Sequence, residues 1–247
     1  MASEAGPGTI ALVHGFAGDP SVWRDVAIPG ARAIALPGHG GGLVQRGWDA
    51  NLEVVASALA GCDAVVGYSL GARIALGLVA TGRIGRAVLI GVNPGISDDE
   101  RPARRASDAD WARVLRDDGI AEFVDRWAAQ PLFATQARAA AERLAERRTH
   151  RLRHDPEQLA QSLEQLGLAE MPDYRPNFPR DRVTLIAGAD DLKYVALARS
   201  LGAPLETIDA SGHDPTLEQP ARLAGAIARM LRAIRPESSA GGSSRST

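Results

Sequence analysis

Ala64-Val65-Val66-Gly67-Tyr68-Ser69-Leu70-Gly71-Ala72-Arg73-Ile74-Ala75-Leu76 is the stretch from which the fold can be read. Its first three residues are an apolar strand, and from Leu70 onward the pattern is helical. Between them stands G-x-S-x-G, a turn so tight that the positions flanking the serine must be almost free of side chain. In a chain with 26 glycines the motif alone says little. Between a strand and a helix it marks a serine held above the end of a sheet, at a helix N-terminus.

Outward from this elbow, short apolar runs alternate with helical patterns. Strands are predicted at 9–14, 32–36, 63–68, 86–91, 182–187 and 205–209, with helices at 49–60, 70–81, 193–201 and 219–234. The runs are nearly continuous in apolar residues rather than alternating, as parallel strands covered on both faces require. The alternation predicts an α/β fold with a mostly parallel, doubly wound sheet. Residues 98–170 break the rhythm: they contain no strand, are dense in Arg, Ala, Asp and Glu, and read as three or four helices. Asp108, Pro131 and Asp155-Pro156 supply start and stop signals there. A block inserted between parallel strands sits at the edge where ligands bind, so a helical lid is expected. The domain reading is a core of 1–97 and 171–235, a lid of 98–170 and a disordered Ser/Gly-rich tail of 236–247, with residues 1–8 frayed.

The 247 residues are 45% apolar and 23% charged with net charge −2, which excludes an intrinsically disordered chain and offers no basic surplus for nucleic acid. The single cysteine, Cys62, permits neither an internal disulfide nor a Cys-based zinc site. No apolar run approaches the ~20 residues that span a bilayer. The first residues lack a basic, apolar leader, and a cytoplasmic protein is expected.

A serine hydroxyl needs a base, and the base needs a carboxylate. After an elbow of this kind they follow in the order serine, acid, histidine. His213, directly after the last strand, has the right order and place. His150 and His154 lie in the Arg-rich block and are expected on its solvated surface, while His14 and His39 sit in Gly-flanked turns that suit structural roles. The acid ends the preceding strand, where Asp190 and Asp191 are both candidates that position alone does not separate. His14-Gly15-Phe16 ends the first strand, where the Phe16 amide can face that of Leu70 as an oxyanion hole. Together these features predict an α/β-hydrolase fold with a Ser-His-Asp triad.

From about residue 9 to 234 the chain resembles one branch of that superfamily, the 2-succinyl-6-hydroxy-2,4-cyclohexadiene-1-carboxylate synthases of menaquinone biosynthesis. The resemblance rests on His14-Gly15-Phe16-Ala17-Gly18-Asp19, Leu36-Pro37-Gly38-His39-Gly40-Gly41 and the elbow with Arg73 four residues past the serine. It continues through Asn93-Pro94-Gly95, Trp127-Ala128-Ala129-Gln130-Pro131-Leu132-Phe133, Gly188-Ala189-Asp190-Asp191-Leu192-Lys193-Tyr194 and Gly212-His213. It implies Asp191 as the triad acid, a substrate-carboxylate cluster of Arg73, Arg104 and Arg148, and a pocket lined by Tyr68 and Trp127. Guanidinium groups suit this role, because they hold carboxylates in bidentate pairs. Ala72 stands where the family often has Gly, and the tail after 235 matches no family feature.

The implied reaction is a cofactor-free elimination of pyruvate in which Ser69, backed by His213 and Asp191, removes a proton. No metal-ligand cluster or phosphate loop is visible in the sequence, so no cofactor is expected. The expected partner is a small polycarboxylate, with no nucleic acid or membrane, on a monomer or weak homo-oligomer. Two other readings stand beside it: a serine hydrolase (esterase, thioesterase or C–C bond hydrolase) with Ser69 as covalent nucleophile, and a non-catalytic binding protein.

Overall fold

A computed structural model of the protein describes residues 9–234. The expected frayed start and Ser/Gly-rich tail lie outside the described residues. Six strands, β1 (Thr9–Val13), β2 (Ala31–Ile34), β3 (Cys62–Tyr68), β4 (Arg86–Ile90), β5 (Val183–Gly188) and β6 (Leu205–Ile208), form one sheet in the order β2-β1-β3-β4-β5-β6. Every pairing is parallel. All six strands lie where the apolar runs predict them.

Successive residues of a strand point to opposite faces, and here both faces are covered. Val65, Leu89 and Leu185 pack against α1 (Trp48–Ala58), α2 (Leu70–Ala80) and α7 (Leu192–Ser200). Val66, Val88 and Ile186 pack instead against the 3-10 turn Pro20–Val26 and α9 (Pro220–Ala233). This two-sided burial is why the strands read as unbroken apolar runs. The last predicted helix corresponds to α9, and a short α8 (Pro215–Glu218) that was not predicted precedes it, with a proline opening each.

Between β4 and β5 the chain builds α3 (Arg101–Arg113), a π-turn (Val114–Asp118), α4 (Gly119–Ala128), a 3-10 segment (Pro131–Arg138), α5 (Ala141–Arg151) and α6 (Pro156–Leu166). This block has a small core of its own, Ala112, Leu115, Phe123, Val124, Leu159, Ala160 and Leu163, which closes on Ala17 just beyond β1. Asp155 caps α6 through the Gln158 amide, as expected. Asp108 does not start a helix. Pro102 in the first turn opens α3, and Asp108, two turns on, is buried and takes two hydrogen bonds from Arg104 at 2.9 and 2.8 Å.

His14 and His39 join the loops that follow β1 and β2. Each Nδ1 meets a carbonyl, Gly15 O at 2.8 Å and Pro37 O at 3.0 Å, and each Nε2 accepts an amide, from Leu36 and Ala17 respectively, at 3.1 Å. Carbonyls only accept and amides only donate, so both rings are neutral with the proton on Nδ1. Burial brings His14 down to about 4 and holds His39 well below the usual histidine range. The unfolded imidazoles take up protons near 6.5, and the folded ones only well below that. Stability is therefore expected to fall as pH drops from 6.5 toward 4, by about 1.4 kcal/mol per pH unit for each of the two rings. Urea unfolding at pH 7.5, 6 and 5 measures this. A free energy that stays flat across the series would mean that the rings are charged in the folded state.

Candidate active site

Ser69 sits at φ 52°, ψ −108°, a backbone conformation that a residue with a Cβ adopts only under strain. The flanking glycines show why. A Cβ at Gly67 would lie 2.3 Å from Gly71 O, and one at Gly71 would lie 2.2 Å from Val13 O. The start of α2 is thus pressed onto the end of β1, and Ser69 stands above the sheet.

His213 Nε2 lies 3.1 Å from Ser69 Oγ, and its Nδ1 lies 2.8 Å from Asp191 Oδ2. The other Asp191 oxygen caps α7 by accepting from the Tyr194 amide. Both His213 and the Asp191 carboxylate are buried. Asp190, the other candidate acid, turns outward to Arg138. Gly91, at φ 59°, packs beneath the imidazole: a Cβ there would lie 3.0 Å from His213 Cε1. The Tyr194 ring stands 4.5 Å from His213 on the pocket side.

Gly15 brings the loop after β1 against the serine, since a Cβ on it would fall 3.3 Å from Ser69 Cβ. The loop's next amide, Phe16, and the Leu70 amide that opens α2 both lie beside the serine. Neither donates to another group among the described residues.

Tyr68, Arg73, Arg104, Trp127, Phe133, Arg147, Arg151 and Tyr194 line the cleft above Ser69. The arginines differ in their partners. Arg104 is matched by Asp108, and Arg147 by Asp214 at 2.9 Å. Arg73 donates to the Leu166 carbonyl at 2.9 Å and has no carboxylate partner among the described residues. Arg151 has none either; its buried Nε is unpaired, and its guanidinium stands 5.9 Å from the centre of the Phe133 ring. Burial, helped by Arg104 at the one and Arg147 at the other, pulls both down to about 10, so each stays cationic at neutral pH. The Trp127 Nε1 and Ser162 Oγ atoms in the same lining are also buried, without a partner among the described residues.

The chain matches the model of the alpha/beta hydrolase family over residues 10–226. It belongs to that family. Within it, 2-succinyl-6-hydroxy-2,4-cyclohexadiene-1-carboxylate synthase from Klebsiella pneumoniae (strain 342) is 34% identical over 244 residues, 92% of this chain and 95% of the relative. The protein of that name from Salmonella newport (strain SL254) is 31% identical, over 94% and 97% of the two chains. Among solved structures, MenH from S. aureus superposes with a TM-score of 0.85 at 25% identity, covering 93% of this chain and 95% of that one. A thermophilic esterase from Thermogutta terrifontis with malate bound has a TM-score of 0.74 at 24% identity, over 93% and 91%, which supports the fold alone.

On this hydrolase scaffold three sequence expectations need correction. Arg148 does not reach the cleft: it is half exposed and pairs with Asp125 on the outer surface at 2.9 and 3.0 Å. One residue along a helix is a turn of about 100°, and the face of α5 that looks inward carries Arg147 and Arg151 instead. Setting Leu144, Arg147, Arg151 and His154 on one stripe with spacings of three and four would have revealed it. His150 and His154 are not solvated surface. His150 bonds Asp19 at 2.8 Å, and His154 packs edge-on to His39, with ring centres 5.5 Å apart. His154 faces inward because it lies on that stripe, and His150 borders it, three residues past Arg147. Gly91 carried no sequence signal of its own, and Tyr194 stood only as the end of the Gly188-to-Tyr194 string, since both act through neighbours that only folding brings together.

The strain at Ser69 has a measurable consequence. Ser69→Gly and Ser69→Ala both delete the hydroxyl, but only glycine accepts φ 52° freely. The glycine variant is expected to be more stable than the alanine variant by about 1 kcal/mol in guanidinium unfolding. Equal midpoints would show that the turn is unstrained.

Proposed function

We propose that this chain eliminates pyruvate from 2-succinyl-5-enolpyruvyl-6-hydroxy-3-cyclohexene-1-carboxylate, giving 2-succinyl-6-hydroxy-2,4-cyclohexadiene-1-carboxylate. The observation that carries the proposal is the pair of desolvated guanidinium groups beside Ser69, half-buried Arg73 and buried Arg151, neither with a carboxylate partner among the described residues. Burying a cation is costly unless an anion arrives to match it. A neutral ester offers nothing to offset that cost, whereas a substrate with several carboxylates offsets it directly.

In this reading Ser69, Asp191 and His213 are the catalytic residues. Ser69 Oγ takes the ring proton next to the succinyl carbonyl and relays it to His213 Nε2, while Asp191 holds the ring and stabilises the imidazolium. The electron pair from the C2–H bond becomes a C2–C3 double bond, and the existing C3–C4 double bond shifts to C4–C5. The C5–O bond breaks, and pyruvate leaves as its enolate, which a proton converts to the keto acid. Charge that builds on the succinyl oxygen meets the amides of Phe16 and Leu70. Arg73 and Arg151 receive carboxylates, Arg104 is held ready by Asp108, and Tyr68 and Trp127 wall the cleft. The block 98–170 serves as the lid that excludes water. Proton transfer and redistribution of electron pairs complete the reaction, so it calls for no cofactor.

The test supplies isochorismate and 2-oxoglutarate to the thiamine-diphosphate-dependent synthase that makes the cyclohexene substrate, and follows pyruvate and the diene. Ser69→Ala is expected to lower kcat by about 10²–10⁴. Arg73→Ala and Arg151→Ala are each expected to lower kcat/KM by roughly ten- to hundredfold, the value of a charged hydrogen bond, and Arg148→Ala by less than about twofold. If elimination runs at its spontaneous rate while p-nitrophenyl esters are cleaved through an acyl group on Ser69, the protein is a hydrolase instead.

A further inference from the structure

The two residues that flank His213 in the chain are both held by the inserted block. Thr135 packs directly on Gly212, where a Cβ would lie 2.0 Å from Thr135 Oγ1. Asp214 is buried, its side chain 1% exposed, and Arg147 Nη1 donates to its Oδ2 at 2.9 Å, with Gln136 Nε2 on the same oxygen at 3.2 Å. The other oxygen, Oδ1, accepts from Thr216 Oγ1 at 2.5 Å and from the Leu217 amide at 3.3 Å, which caps α8. Arg147 Nη2 donates to Thr216 Oγ1 at 3.1 Å, closing the ring of contacts. None of these groups hydrogen-bonds to Ser69 or to the imidazole, whose partners are Ser69 and Asp191; they hold the backbone on either side of it.

We propose that Arg147 is a positioning residue rather than a substrate contact: with Asp214 it forms a latch that sets His213 against Ser69 when the block is seated. Arg147 lines the cleft, so its role is open to confusion with that of Arg151. The difference lies in their partners. Arg147 is already matched by a buried carboxylate and has no unspent charge for a ligand. Gln136 and Thr135 reach the same short segment from the 3-10 segment Pro131–Arg138, so the block grips it at two points along its length. The latch rests on the reading of His213 as the proton relay.

The experiment compares Arg147→Met, Asp214→Asn, the double variant and Arg147→Lys. The double variant removes both charges and leaves no buried ion unpaired, so it retains the fold even where a single change weakens it. Each single change and the double are expected to lower kcat by about ten- to hundredfold, as a slight misplacement of a catalytic group does, with KM within about threefold. The double is expected to be no worse than the worse single, because one latch is lost in each case. Lysine should restore part of kcat. The low-field proton resonance of His213 Nδ1, assigned by its absence in His213→Gln, should broaden in Arg147→Met and in the double variant.

Arg147→Met with raised KM and wild-type kcat would overturn the latch and make Arg147 a substrate contact. So would a double variant with wild-type kcat and a sharp resonance. Should the wild-type protein not turn over the cyclohexene substrate, the elimination reading fails separately. The resonance then decides the latch alone: broadened in the variants supports it, sharp overturns it.

Discussion

The start of α2 touches the end of β1 backbone to backbone, with Gly71 resting on the Val13 carbonyl where no side chain has room. That contact sets the geometry of everything above the sheet. It draws the first turn of α2 into the switch point where β1 and β3 lie side by side, which in open parallel sheets is where a crevice forms. It forces Ser69 into a left-handed conformation and lifts its hydroxyl out of the strand. It also brings the Leu70 amide level with the loop that carries Phe16. The strain at Ser69 is offset by the neighbouring strands, which hold both ends of the turn: the Ser69 amide itself donates to Ile90 O at 2.9 Å.

Around this rigid floor the cleft is electrostatically unfinished. Most arginines of the chain end in an ion pair, including Arg104 and Arg147 within the lining. Arg73 and Arg151 have no carboxylate partner among the described residues, and their lowered proton affinity expresses the cost of desolvating them. A folded protein keeps such groups where a ligand repays the cost. The unpaired Trp127 and Ser162 atoms in the same lining have the same character.

The inserted helices are bound to the core by apolar, polar and aromatic contacts. Leu166 and Leu168 join the cluster formed by α1, α2 and the sheet, and the block's own small core takes in Ala17. In addition, His150 reaches Asp19, Arg147 reaches Asp214, and Phe16 packs against the stacked rings of Phe123 and Trp127. Asp19, Phe16 and Asp214 all belong to loops that also carry the site. Seating of the block and alignment of the site are thus coupled through shared residues.

The sequence by itself determined the order of the elements, the six strands and the serine turn, because each depends on local periodicity and on glycines whose need is local. It also narrowed the histidine and the acid to one and two positions, since chain order on this fold constrains them. Tertiary structure decided what depends on which way a side chain faces across tens of residues. It turned Asp190 to Arg138 and Asp191 to His213, although the two are adjacent. It took Arg147 and Arg151 into the cleft and left Arg148 outside, because a helix rotates about 100° per residue and only packing sets its phase. It buried Asp108, which read as a helix signal, and half-buried His150 and His154, which read as solvated surface until the loops they meet were folded against them.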